Sequence, residues 1–234
     1  MKETEKKVIV ALDYPTAEIA EKLVSQLSPQ LCRLKIGKEM FTAEGSVYVK
    51  KLVERGFDIF LDLKYHDIPN TVASACRVAA DMGVWMVNVH TLGGSKMMSQ
   101  AKKAIESSGA ETLLIGVTIL TSHSEENIHE IGLKGSIAEN VSNLAFLAKE
   151  SGLDGVVCSA MEAAAIKQRS GSDFLTVTPG IRLPENDKQD QCRVMTPIEA
   201  VNNGADYLVI GRSVTSSSNP MQILKDINKM LEKN

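Results

Sequence analysis

The chain is poor in the features that mark several large functional classes. Aromatic residues make up only 4% of its 234 residues, and 26 Lys and Arg against 29 Asp and Glu leave a net charge of −3. A nucleic-acid binder needs a basic face and rings for stacking, so this balance argues against one. No apolar run is long enough to cross a bilayer, and Met1-Lys2-Glu3-Thr4 does not start a signal peptide. The four cysteines, Cys32, Cys76, Cys158 and Cys192, are far apart and form no C-x-x-C pair. That pattern suits reduced thiols in a cytoplasmic protein, the first three as small core residues. The four histidines lack H-E-x-x-H or any similar metal-ligand spacing, so no metal is expected. A glycine-rich turn after the first apolar run is also missing. Leu12-Asp13-Tyr14-Pro15 stands there instead, which counts against an open, doubly wound dinucleotide-binding sheet.

What the chain does have is 44% hydrophobic residues in a repeating pattern. Short β-branched or apolar runs alternate with longer stretches of helical period. Lys7–Leu12 is followed by a helix capped by Thr16, with Ile19, Ala20, Leu23, Val24 and Leu27 on one face. Leu31–Ile36 precedes a helix from Ala43 to Arg55 with Val47, Val49, Leu52 and Val53 apolar, and Phe57–Leu61 precedes one that starts near Pro69. Trp85–His90, Leu113–Ile119, Gly155–Cys158, Phe174–Thr178 and Tyr207–Ile210 complete eight strand-then-helix units. Thr196-Pro197 and Asn219-Pro220 open the last two helices, proline being tolerated in a first turn. No linker or low-complexity segment divides the chain, and the repetition is one of pattern, not of residues. Eight such units spell a (β/α)₈ barrel, one α/β domain over residues 1–234.

In such a barrel the chemistry lies at the C-terminal ends of the strands. Those ends carry Asp13, Lys35, Asp62 and Lys64, His90, Thr121, Ser159, Arg182 and Gly211-Arg212. The opposite ends carry mainly ordinary surface Lys, Gly and Asp. Gly211-Arg212, after the eighth strand, sits where barrels commonly hold phosphate, and arginine can grip phosphate in two places. The plain alternative is a tight turn with a solvated arginine. The loop Leu183–Met195 is long for a connection between strand and helix and suits a lid, with Gln191 as its ligand contact. His90 reads equally as a site residue and as a packed strand end. Met40, Met97, Met98 and Met161 read as core filler.

The densest cluster of charge is Asp62-Leu63-Lys64-Tyr65-His66-Asp67. Alternation along a strand turns Asp62 and Lys64 to the same side. Pro69 forces a turn after Asp67. A lysine between carboxylates stays an ammonium, which makes it a fixed proton donor and not a nucleophile. A strand-capping ion pair is the plain alternative. The convergence of polar strand ends favours a catalytic group.

With these residues in view, the chain resembles the orotidine 5′-phosphate decarboxylase family over essentially its whole length. The resemblance rests on Val10-Ala11-Leu12-Asp13, Leu34-Lys35-Ile36-Gly37-Lys38-Glu39-Met40-Phe41, Asp62–Thr71, Leu120-Thr121-Ser122, Thr178-Pro179-Gly180-Ile181-Arg182 and Gly211-Arg212. It implies that Asp13 and Lys35 hold ribose hydroxyls, that Asp62 faces the substrate carboxylate, and that Lys64 protonates the ring carbon. It implies that Asp67, Ile68 and Thr71 reach into the partner's site of a homodimer. Thr121 or Ser122 would bind the pyrimidine; Arg182, Gln191, Gly211 and Arg212 would hold the phosphate side. No cofactor is implied. Two rivals are a metal-dependent sugar-phosphate lyase or epimerase barrel with a similar D-x-K-x-x-D, and a barrel that binds a phosphosugar without turning it over.

Overall fold

Eight apolar runs become eight parallel strands, and the strands close on themselves in sequence order. They are β1 (Val8–Ala11), β2 (Arg33–Gly37), β3 (Ile59–Tyr65), β4 (Met86–His90), β5 (Leu113–Val117), β6 (Gly155–Val157), β7 (Leu175–Thr178) and β8 (Tyr207–Ile210). The computed structural model describes residues 6–183 and 195–232. The ring closes through β1, whose Ile9 lies beside Arg33 of β2 on one side and Val209 of β8 on the other.

Alternation along the strands divides the apolar residues into two sets. Ile9, Ala11, Phe60, Met86, Ile115, Val177, Tyr207 and Val209 fill the barrel. Their neighbours, among them Val10, Leu34, Leu61, Val87, Leu114, Val156 and Leu208, pack outward under the helices. A strand buried on both faces must be apolar throughout, which is why these runs do not alternate in polarity.

The helices that cover the strands are α1 (Ala17–Val24), α2 (Lys38–Glu54), α3 (Pro69–Asp81), α4 (Gly94–Ser107), α5 (Glu125–Glu130), α6 (Ile137–Glu150), α7 (Ala163–Ser170), α8 (Pro197–Asn202), α9 (Arg212–Thr215) and α10 (Pro220–Glu232). Thr16 caps α1 by accepting from the Ile19 amide, as its position predicts. Three expectations need correction. The helix after β2 begins at Lys38, and Gly45, at φ 63°, breaks its geometry. Val47 is 78% exposed while Val49 and Leu52 are buried, because two residues of helix turn Val47 about 200° away from Val49. Met161 stands 53% exposed ahead of α7, whereas Met40, Met97 and Met98 are core residues as expected. The polar stretch between β5 and α6 contains a further helix, α5, opened by a reciprocal cap between Ser124 and Asn127 and anchored by buried Ile128.

Repetition at the residue level, unexpected from the sequence, also emerges. Gly56-Phe57-Asp58, Gly152-Leu153-Asp154 and Gly204-Ala205-Asp206 each join a helix to the next strand. Each glycine has positive φ and closes the helix, and each apolar residue is buried beneath it. The Asp154 carboxylate accepts the Leu114 amide and pairs with Lys102, and Asp206 does the same with the Thr176 amide and Lys167. Asp58 pairs with Lys6 and Arg33. Arg33 lies over Trp85 at 4.1 Å and within 5.0 Å of Tyr207, so a buried cation and two rings plug this end. These acidic residues staple the floor of the barrel and leave its other end for chemistry. Cys32, Cys76 and Cys158 are buried core residues, while Cys192 lies outside the described residues.

Candidate active site

Above the inward layer formed by Phe60 and Met86, the next inward positions are polar: Lys35 on β2, Asp62 on β3 and Asn88 on β4. Lys35 Nζ lies 3.0 Å from Asp13 Oδ1 and 3.4 Å from Asp62 Oδ2. Lys64 Nζ donates to Asp62 Oδ1 at 2.6 Å. The charges thus alternate along Asp13, Lys35, Asp62 and Lys64. Gly37 leaves room for this, since a Cβ there would come within 3.3 Å of Lys35 Nζ.

Burial penalises both charges of the central pair, and ion pairing outweighs it. Asp62 is held below the usual carboxylate range because Lys35 and Lys64 overcome the cost of burial. The pKa of Lys35 is raised because Asp62 and Asp13 overcome the burial that would otherwise lower it. Both side chains therefore stay ionised at neutral pH.

Asp62 and Lys64 do meet, although simple alternation is not the cause. The pairing of β3 with β4 slips between Leu61, opposite Val87, and Tyr65, opposite Val89. Lys64 lies in this bulge at φ 52°, and no other described non-glycine residue has positive φ. A left-handed backbone costs a residue with a Cβ on the order of 1–2 kcal/mol. Bulges of this kind re-aim a side chain, here the ammonium.

The strand ends enclose a cavity of about 590 Å³, a size suited to a small ligand. Asp13, Lys35, Asp62 and Lys64 line one side, and Thr121 and Ser122, just beyond β5, line another. Arg182, Gly211 and Arg212 line the rim after β7 and β8. A Cβ on Gly211 would meet only Ala11 Cβ, at 4.0 Å, so protein packing does not demand glycine there. The Arg182 amide donates to the Met195 carbonyl and the Met195 amide to the Gly180 carbonyl, which pins together the two ends of the intervening segment. Gln191 falls within that segment, outside the described residues.

Five candidate residues do not line this cavity: Asp67, Ile68 and Thr71, expected in a partner's site, and the strand-end residues His90 and Ser159. Asp67 is exposed and accepts from the Ile68 amide at 2.6 Å. Ile68 is 67% exposed, and Thr71, in the first turn of α3, is exposed as well. His90 stacks on His66 with centroids 5.6 Å apart and is not a lining residue. Burial, reinforced by His66 and Lys64, pushes its pKa down to about 4. Ser159 is buried and its amide is taken by Glu162. Among the described residues no three His, Cys, Asp or Glu side chains gather as a metal site.

Sequence reasoning missed the apolar part of the lining, Phe60, Val117, Ile119 and Val157, and also Pro179, Gly180 and Thr215. It missed Asn88, whose signal was an amide within the apolar run Trp85–Val89.

Comparison with known proteins agrees with this geometry. The family model described as Orotidine 5′-phosphate decarboxylase / HUMPS family matches residues 6–227. An orotidine 5′-phosphate decarboxylase of Hydrogenovibrio crunogenus is 57% identical over 222 residues, 95% of this chain and 94% of its own length. One from Laribacter hongkongensis is 58% identical, covering 94% of this chain and 91% of its own. The crystal structure of orotidine 5′-phosphate decarboxylase from Lactobacillus acidophilus superposes with a TM-score of 0.87 at 39% identity, over 96% of this chain and 98% of that one.

Proposed function

We infer the reaction from one premise: the chain belongs to the orotidine 5′-phosphate decarboxylase family. It is a carboxy-lyase that converts orotidine 5′-monophosphate to uridine 5′-monophosphate in pyrimidine biosynthesis. The observation that carries the mechanism is the Lys35–Asp62–Lys64 array that lines one side of the cavity.

The carbon–carbon bond to the substrate carboxylate breaks, carbon dioxide leaves, and the electron pair stays on the ring carbon. That pair lies in an orbital the ring cannot delocalise, so the protein must supply positive charge where it forms. Lys64 supplies it, and its N–H proton becomes the new C–H bond; solvent then restores the ammonium. Asp62 beside the substrate carboxylate adds repulsion that departs with carbon dioxide. Asp13 and Lys35 hold the ribose, and Thr121 or Ser122 contacts the pyrimidine. Arg182, Gly211 and Arg212, with Gln191, take the phosphate side, whose binding energy orients a remote reacting centre. The reaction needs no metal and no cofactor, because an ammonium occupies the place a cation would take.

The working unit is a cytoplasmic homodimer of single-domain barrels in which Asp67, Ile68 and Thr71 enter the partner's site. Supporting this, Asp67 makes no ion pair among the described residues, and apolar Ile68 stands two-thirds exposed beside it. The test is to mix purified protein with orotidine 5′-monophosphate in EDTA and follow the ultraviolet absorbance. The spectrum should convert to that of uridine 5′-monophosphate. Loss of activity on chelation, restored by magnesium, would favour a metal-dependent lyase; binding without turnover would favour a phosphosugar-binding barrel.

A further inference from the structure

Asn88 is fully buried in the middle of β4, and both ends of its amide are engaged. Its Nδ2 donates to Asp62 Oδ1 at 2.7 Å, and its Oδ1 accepts the Lys64 backbone N–H at 2.7 Å. The second bond has a clear cause. Between the Leu61–Val87 and Tyr65–Val89 pairings the ladder slips, and Asn88 is the β4 residue facing the slip. The bulge takes the Lys64 N–H out of the ladder, and the Asn88 side chain replaces the lost backbone acceptor. A buried N–H must find a partner, so this bond helps to hold Lys64 at its left-handed φ of 52°.

The first bond concerns charge. Asp62 Oδ1 receives two donors, Asn88 Nδ2 and Lys64 Nζ, while Oδ2 faces Lys35. When Lys64 gives up its proton, Asp62 loses one cationic partner. Asn88 stays as a neutral donor that cannot be consumed in the reaction. One amide thereby fixes the backbone of the proton donor and the carboxylate that aims it.

Resting on the decarboxylase reading above, we propose that Asn88 is a positioning residue for the reaction, clamping Asp62 and Lys64 in the geometry from which the proton is delivered. It does not line the cavity. Its loss should therefore lower turnover while sparing ligand binding.

The experiment compares wild type, Asn88→Leu and Asn88→Asp. Leucine fills a similar volume without either hydrogen bond. Aspartate keeps the shape and the acceptor for Lys64 but replaces the donor facing Asp62 with a like charge. Each folded variant should lose about 100-fold in kcat, the scale of a small misplacement of reacting groups. KM and the affinity for uridine 5′-monophosphate should stay within about threefold, because the lost interaction belongs to the transition state. If Asn88→Leu does not fold, the isosteric Asn88→Asp carries the test. A folded variant with near-normal kcat overturns the proposal. So does a loss of product affinity as large as the loss of kcat, which would make Asn88 a general prop. Wild type that leaves orotidine 5′-monophosphate unchanged refutes the decarboxylase reading itself and is separate from either result.

Discussion

At the scale of single residues, environment decides which charges survive. Asp62 and His90 are both largely buried, with opposite outcomes. Two lysines keep Asp62 ionised, while His90 has cations for neighbours and its Nδ1 is buried without a partner among the described residues. His90 therefore stays neutral in the fold, its pKa pushed from 6.5 to about 4 by burial first and by His66, Lys64, Lys38 and His123 after it. Between these two values the unfolded chain holds the His90 proton and the folded chain does not, so stability falls as pH drops through that window. Urea midpoints measured at fixed protein concentration should fall more steeply from pH 6.5 toward 4 for wild type than for His90→Gln. Parallel curves would mean that His90 takes its proton without opposing the fold. Asp62 and Lys35 set outer limits by the same rule. The stabilising charge of Asp62 is complete above its unfolded pKa, near 3.8, and is lost as pH falls further through its depressed folded value. That of Lys35 is complete below 10.5 and is lost as pH rises through its elevated one.

Among the secondary-structure elements, strand existence was legible because a strand buried on both faces is written as a continuous apolar run. The polar strand ends were legible for the same reason, since charge interrupts such a run only where the chain leaves the core. Asp13, Lys35, Asp62, Lys64, Thr121, Ser122, Arg182, Gly211 and Arg212 do converge on one cavity. Features that depend on partners across the sheet stayed hidden. The bulge at Lys64 is a slip between two strands, and nothing in Asp62-Leu63-Lys64 alone announces it. Asn88 gains its meaning only from that slip. Close strand packing was equally invisible. A Cβ on Gly155 of β6 would collide with the Leu175 carbonyl oxygen and approach Leu175 Cβ to 2.6 Å. Gly155→Ala should therefore destabilise the barrel by roughly 1–3 kcal/mol, as overpacking does, which a urea titration will read. Wild-type stability would show that β6 and β7 can separate at little cost.

For the molecule as a whole, the site is proposed to be completed by a second copy. Lys64→Ala and Asp67→Ala homodimers should each be impaired. A mixed dimer has one site with both lesions and one with neither. Random exchange of equal amounts makes about half the dimers mixed, so activity should approach roughly a quarter of wild type, as two-fold symmetry requires. Exchange proved by co-purifying tags, without recovery, would confine Asp67 to its own chain. The chemical step we propose is simpler than this assembly: the Lys64 ammonium, held by Asp62, protonates the carbon that loses carbon dioxide. The decisive quantity is kcat of purified Lys64→Ala on orotidine 5′-monophosphate, measured alongside its affinity for uridine 5′-monophosphate. Protonation by Lys64 requires a fall in kcat of at least about 10³-fold, with product affinity changed far less; a folded variant that keeps near-normal kcat would contradict it.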